Sequence, residues 1–491
     1  MSDYTSVKIG WASDSITPDR PIYLSGQLYE RISRYVHDPL TATALVIEGG
    51  EEQCIMVSCD MVGIEKEITT RIQERVDGVE GIDGRKLTIS AIHSHNASRF
   101  WSAAEGHTEE FRRFLGSELF PPEKAPADIL CGQEAEDFLI DRLEAIVLRA
   151  WRGRAPGGIS WAQDYAAIGF NRRPVFEHED GSSESKMYGC CAQPDFKRFE
   201  GGVDHTANML YTWDEKRNLT GVAVGIPCPS QVNELHYFVS GDYWTNARKH
   251  IREQLGNIYV LSLCEAAGDQ NPLDLVRISK KNHEELAGWG AQEGEVWCNL
   301  DPERECDKIG RRIADAVTRG WDDAREQVRF SLPFHHDVQK ISLPLRKVSK
   351  ADYDEALAVF DRVKAEHSAT NPVTTKECVR LLFEPLGVID RWELQQKTDV
   401  YQFEAHFIRI GDTVITTNPF ELFVEYAFRV RARCKADQVF MIQLANDVGG
   451  YLPTQVAVLG GSYSSKPAST RVGPEGGDQL VEEYIKQIDQ L

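Results

Sequence analysis

His93-Ser94-His95 sets two imidazoles one residue apart, directly after the apolar run Leu87-Thr88-Ile89-Ser90-Ala91-Ile92. Imidazoles can bind a metal or carry a proton near neutral pH. The β-branched run predicts a strand, so the pair falls at its C-terminal edge. Strand ends of α/β proteins are where ligands are held. Residues i and i+2 of a strand share a face, so both rings can enter one cleft. The plainer reading is one satisfied strand-end histidine and one surface histidine.

Four further loops combine strand ends, polar residues and glycine or proline. Ile226-Pro227-Cys228-Pro229-Ser230-Gln231 presents Cys228 and Gln231 on a stiff turn. Cys264 to Pro272 carries Gly268-Asp269-Gln270-Asn271-Pro272, which as a local sequence is also an ordinary turn. Thr417-Asn418-Pro419-Phe420-Glu421 reads as a helix start. There Glu421 stands three residues after Asn418, the spacing of a capping box. The last loop, Leu444 to Thr454, contains Asn446 and Tyr451. Cys228 could equally be a buried thiol, and Tyr451 a core residue. Arg172 and Arg173 could clamp an anionic or polyhydroxyl group, or lie on a solvated surface.

The elements that must position these residues alternate between the two periods. Thr41 to Ile47 and Gln53 to Cys59 read as strands about a Glu48-Gly49-Gly50-Glu51 turn. Ile64, Ile68, Ile72 and Val76 mark an amphipathic helix. Residues 102–133 read as an insertion or lid, and 155–208 as an irregular region. Hairpins are predicted at Met209–Asp214 with Leu219–Gly225, and at Phe403–Ile410 with Thr413–Thr417. Asn257–Leu263 and Val439–Leu444 are further strands. Helices are predicted over Tyr243–Leu255, from Asp301-Pro302, over 350–367 and 374–384, from Pro419 and from Pro474. Without repeats or a long linker, the 491 residues read as one large mixed-sheet α/β unit.

Bulk composition narrows the partners. The net charge of −21, from 55 basic and 76 acidic side chains, opposes nucleic-acid or anionic-membrane binding. No apolar stretch reaches the ~18 residues of a membrane span. The N-terminus lacks the pattern of a signal peptide. Eleven cysteines without a C-x-x-C pair suggest reduced thiols in a cytoplasmic chain. A small-molecule substrate is expected, and a homo-oligomer is compatible with the sequence.

Together and in order, these segments resemble the neutral (non-lysosomal) ceramidase family across nearly its full catalytic domain. Gly10 to Pro18 is similar to that family's glycine-led D-I-T opening. Ser90 to His95 resembles its T-H-T-H-S, Ser240-Gly241-Asp242 its S-G-D, and Gly268 to Pro272 its G-D-V-S-P. Leu444-Ala445-Asn446 with Gly450 to Thr454, and Ala468-Ser469-Thr470 with Gly473-Pro474, resemble its last motifs. The resemblance implies the ceramidase-like catalytic fold, here without the family's C-terminal β-domain. It also implies zinc held by two histidines, a glutamate and a tyrosine. His93, Glu421 and Tyr451 match three of these, and His95 matches a histidine suited to proton transfer.

Two departures follow. Counting back twelve residues from Ser240, to where the family has its second zinc histidine, reaches Cys228. A thiolate can bind zinc, giving a His93/Cys228/Glu421/Tyr451 site. Alternatively the metal has been lost, or shifted towards His236 or Glu234. The family's G-D-V-S-P serine is Asn271, which excludes a covalent route through that position. The expectation is a metal-dependent hydrolase of a small polar substrate, using a metal-activated water. His95, Asp269 and Asn271 would be catalytic. Gln231, Gln270, Asn446, Arg172 and Arg173 would contact substrate. The alternatives are an acid–base lyase, isomerase or glycoside-cleaving enzyme on a sugar-like substrate, with His95 and Asp269 or Asp60 as the pair, or a non-catalytic binding protein.

Overall fold

The computed structural model describes residues 4–100, 107–121, 126–280, 296 and 301–491. Twelve strands join one hydrogen-bonded system: β1 (Tyr4–Ser15), β2 (Thr41–Gly49), β3 (Glu52–Cys59), β4 (Leu87–Ala91), β5 (Ala155–Tyr165), β6 (Thr206–Asp214), β7 (Leu219–Ile226), β8 (Tyr259–Cys264), β9 (Ser331–Pro344), β10 (Val400–Ile410), β11 (Thr413–Thr417) and β12 (Gln438–Ile442). Their order is β8-β7-β6-β5-β1-β9-β10-β11-β12, with β2, β3 and β4 branching from β1. The branch arises within β1. Tyr4–Ser6 pair with β9, Val7–Ser15 with β2, and Val7–Ile9 also with β5.

Side-chain alternation turns this system into layers. In β2, Ala42, Ala44 and Val46 face α1 (Lys66–Val76) and α3 (Gly132–Arg152), the helix that follows α2 (His107–Leu115) along the chain. Leu45 and Ile47 face the other way, onto Ile408, Ile415 and Phe440 of β10, β11 and β12. The two halves of the sheet thus share an inner core. The outer face of β6 and β7 is covered by α4 (Tyr243–Leu255) and α5 (Pro302–Ala324). Helices α6 (Lys350–Glu366) and α7 (Thr375–Gln395) pack with α2 in a separate cluster. Helices α8 (Val424–Arg433) and α9 (Pro474–Gln490) cover β10 to β12. Each fully buried Leu or Ile contributes roughly 1.5–3 kcal/mol, so this patterning is decisive.

Three parallel pairs, β3–β4, β7–β8 and β11–β12, bring the chemistry-bearing loops together. The loops after β4, β7, β8 and β12 leave from strand C-termini, and the bridges Ser90–Ala445 and Glu265–Ile442 tie these ends to one another. Gly411, at φ +64°, makes the tight turn between β10 and β11.

Several expectations need correction. Residues 155–165 are not irregular: Ala155–Gly157 of β5 pair with β1, and Gly157–Tyr165 pair with β6. Residues 170–199 are irregular in the expected sense, with four short strands. The helix expected to stop at 384 runs to Gln395 through Pro385. No helix begins at Pro419. Phe420–Leu422 pair in parallel with Gly450–Leu452, and the helix starts at Val424. Of the expected lid, 102–106 and 122–125 lie outside the described residues. Its helix α2 packs on α6 and α7. Among the described residues no helix is long and apolar enough to cross a membrane.

Candidate active site

Strand β4 ends at Ala91, and His93 has a left-handed backbone, φ +62°. That conformation is uncommon for a residue with a Cβ, and such strain collects at functional sites. The His93 and His95 rings therefore meet through a turn, not through strand alternation. Their centroids lie 4.8 Å apart, edge to face, and their Nε2 atoms 3.3 Å apart. His93 Nδ1 donates to the Val62 carbonyl at 2.7 Å. A carbonyl only accepts, so Nδ1 carries a hydrogen, and the contact turns Nε2 towards Glu421 Oε2, 3.2 Å away.

On the far side of the pair, His95 Nδ1 lies 3.4 Å from Glu234 Oε2. Two imidazoles thus bridge two carboxyl groups, Glu421 and Glu234, in one line of contacts. Gln231 places its amide nitrogen 2.6 Å from His95 Nε2, and its oxygen accepts from Asn271 Nδ2 at 2.9 Å. Asn271 Nδ2 also donates to the Tyr188 hydroxyl, 2.9 Å. Gly26, at φ +96°, packs against His95 so closely that a Cβ would lie 2.5 Å from the ring.

Glu421 is set beside Tyr451 by the parallel pairing of Phe420–Leu422 with Gly450–Leu452. Tyr451 is one of the neighbours that favour the ionised Glu421, and Arg172 sits over the Tyr451 ring at 5.2 Å. Arg172 Nη2 donates to the Gly268 carbonyl at 2.8 Å, while its buried Nε has no hydrogen-bond partner among the described residues.

Burial and neighbouring charge set the protonation states. Burial, reinforced by His93, Arg31 and Arg172, holds His95 well below the usual histidine range. Burial pushes the Glu234 carboxyl up to about 7, although Arg172 and Arg31 pull it back. Glu421 experiences the same burial, but His93, Arg172 and the Tyr451 hydroxyl outweigh it and keep it below the carboxylate range. Burial opposes the charge on Arg172, yet Tyr451, Tyr188 and Glu421 hold it firmly protonated. One carboxyl is therefore tuned to keep its proton and the other to stay ionised.

The expected residues divide clearly. His93, His95, Glu421, Tyr451, Arg172, Gln231 and Asn271 come together. Cys228 does not join them. It is buried with Ile168, Ile226 and Tyr243, and its thiol contacts the Pro229 carbonyl at 3.6 Å. Burial, Cys264 and Asp242 raise that thiol far above its normal range, so it is not a ready thiolate. Arg173 is a structural ion: it holds Glu200 through two contacts of 2.7 and 3.1 Å. It also donates to the carbonyls of Ala457, Gly461 and Tyr463. Asp269 is not placed for proton transfer, since its oxygens accept from Val424 N and Asn171 Nδ2, both at 3.0 Å. Gln270 alternates away from Asn271, onto the Gly202 carbonyl. Asn446 binds β4 and His406 rather than the cluster. Asp60 is locked to Arg248 at 2.6 and 3.0 Å.

Sequence reading passed over Arg31 and Tyr188. Arg31 is buried and donates to the carbonyls of Ser25, His95, Glu234 and His236, pinning both halves of the His95–Glu234 contact. No local motif marks it. The implied zinc ligand set does not assemble, because Cys228 is elsewhere. Among the described residues no group of three or more His, Cys, Asp and Glu side chains is disposed to hold a metal ion.

No family model matches the chain, and no curated protein matches it by sequence. Solved structures do. A structure titled as a ceramidase complexed with C2 superposes with a TM-score of 0.66 at 14% identity, covering 99% of this chain and 75% of that one. The neutral ceramidase of Pseudomonas aeruginosa gives a TM-score of 0.66 at 16% identity, covering 99% and 74%. At that identity the likeness concerns the fold, and the chain has the ceramidase-like catalytic fold.

Proposed function

We propose that this chain is a hydrolase of a small polar substrate, with water as the attacking group and His95 moving its proton. The observation that carries the reading is the line Glu421–His93–His95–Glu234, two imidazoles between a low and a high carboxyl group. Pairs of titratable groups pushed apart by their surroundings mark acid and base roles. Neutral His95 accepts the proton of water, and the Glu234 carboxyl is the reservoir next to it. Arg172 supplies a fixed positive charge beside the cluster, where developing negative charge on an acyl-type oxygen would be stabilised. Asn271, Gln231 and Tyr188 offer amide and hydroxyl contacts, which favour a polar substrate over an acyl chain.

Turnover of a panel of water-soluble esters, amides and glycosides in H2 18O tests this. Label in the product supports hydrolysis. An unsaturated product without label would overturn it in favour of an acid–base lyase.

A second reading keeps zinc on a reduced set of His93, Glu421 and Tyr451. It is favoured by the Val62 contact at Nδ1, since a second-nitrogen hydrogen bond to a carbonyl is how metal-binding imidazoles are oriented. Elemental analysis of protein purified without added zinc decides: about one zinc per chain supports it, and none sinks it.

A further inference from the structure

Arg391 of α7 is 6% exposed, and its Nε has no hydrogen-bond partner among the described residues. Among those residues it also forms no ion pair and no ring contact. A charge taken out of water needs partners. Arg173, equally buried, shows what they look like: it holds Glu200 and three backbone carbonyls.

The cations nearest Arg391 make its position costlier still. Arg346 and Arg471 stand opposite each other at the antiparallel Leu345–Val472 bridge, where Arg346 N donates to the Arg471 carbonyl at 2.9 Å. Opposed residues of such a pair direct their side chains to one side. Burial, Arg471 and Arg346 together push the Arg391 guanidinium down to about 10, with Asp390 opposing them. Arg346 Nη1 donates to Thr470 Oγ1 at 2.8 Å, and Arg471 Nη1 to the Val448 carbonyl at 2.8 Å. The nearby carboxylates are Asp390 by Arg391, Glu475 by Arg346 and Glu65 by Arg471. Among the described residues none of the three arginines is in an ion pair.

The helix face carrying Arg391 meets the segment that carries Arg471. Gly387 lies one turn before Arg391, and a Cβ on it would come 2.2 Å from Ala468 Cα. Helix residues four apart share a face, so Arg391 is directed to the same side. Next to Ala468, Ser469 buries an Oγ that has no hydrogen-bond partner among the described residues.

We propose that Arg346, Arg391 and Arg471 form a binding site for a phosphate group, free or as a monoester, separate from the His93–His95 cluster. A tetrahedral dianion answers several guanidinium groups at once, whereas one planar carboxylate carries half the charge and two oxygens. The proposal does not depend on the hydrolase reading. The site lies against the loop that carries Tyr451, because Arg471 holds Val448 and Thr470 is bridged to Gly450.

Calorimetric titration of the full chain with inorganic phosphate, against sodium chloride at matched ionic strength, tests the site. The wild type should bind about one phosphate per chain with a dissociation constant of ~1 mM or tighter. Arg391→Met and Arg471→Gln should each weaken binding at least about tenfold, the scale of one charge-assisted hydrogen bond. Arg172→Met, which alters the arginine of the candidate active site, should keep the wild-type affinity. Phenyl phosphate, titrated in parallel, separates a monoester from the free ion, and binding of either supports the site. A wild type that binds neither overturns it. So does acetate bound as tightly as phosphate, or unchanged affinity in Arg391→Met. Loss of binding in Arg172→Met alone would place the phosphate in the active site and overturn it too. If Arg391→Met does not fold, Arg471→Gln decides, and unchanged affinity there overturns the proposal.

Discussion

His93 Nε2 lies 3.2 Å from Glu421 Oε2, while the other nitrogen of the ring is held by the Val62 carbonyl. The imidazole therefore cannot rotate away without breaking two contacts, and Glu421 is held beside Tyr451 by the parallel pairing of Phe420–Leu422 with Gly450–Leu452. This pair is the fixed wall against which His95 is positioned, 3.3 Å from His93.

Glu421→Gln removes the charge and keeps the shape. A hydrogen bond to a charged group is worth ~1.5–3 kcal/mol, so turnover should fall about 10- to 100-fold. Steady-state kinetics on any substrate of the panel checks this, and unchanged turnover would remove Glu421 from the site.

Glu234 makes stability depend on pH. Its carboxyl is raised to about 7 in the fold, against an ordinary 4.5. Between those values the unfolded chain has released a proton that the folded chain keeps. Stability should therefore fall as pH rises from about 4.5 to about 7, by roughly 3 kcal/mol at most, and level off above. Glu234→Gln should melt higher than wild type at pH 8, with the gap narrowing towards pH 5. A gap that is the same at both pH values contradicts this assignment.

The adjacent arginines should separate in their effects. Arg173→Met strands the buried Glu200 carboxylate, at a cost of about 3–5 kcal/mol. Arg172→Met should instead act mainly on turnover. Denaturant unfolding with kinetics on both variants checks the contrast.

Cys228→Ala should cost about 1 kcal/mol, as expected for a small buried side chain lost from the core. It should leave turnover within about twofold of wild type. A large loss of activity with normal folding would return Cys228 to the site.

The layered fold was largely legible because period-2 and period-3.6 patterns follow local chemistry. The Gly411-Asp412 turn and the His93 strand end are of that kind. Glu421 was locally ambiguous. Its spacing from Asn418 reads as a cap, but Asn418 Oδ1 accepts from Phe420 N, and the pairing with Gly450–Leu452 frees Glu421 for His93. Cys228 was misassigned because counting along the chain fixes a position, not a side-chain direction. Here the thiol turns into the apolar core. Arg31 and Tyr188 carry no local signature at all, and they meet His95 and Asn271 only through contacts between distant segments.

The turnover number of His95→Asn, on the first panel substrate that the wild type converts, tests the central claim most directly. If His95 moves the proton, kcat falls at least about 100-fold while KM stays within a few-fold, the scale of a lost acid–base group. A variant that keeps kcat within about threefold of wild type would contradict it.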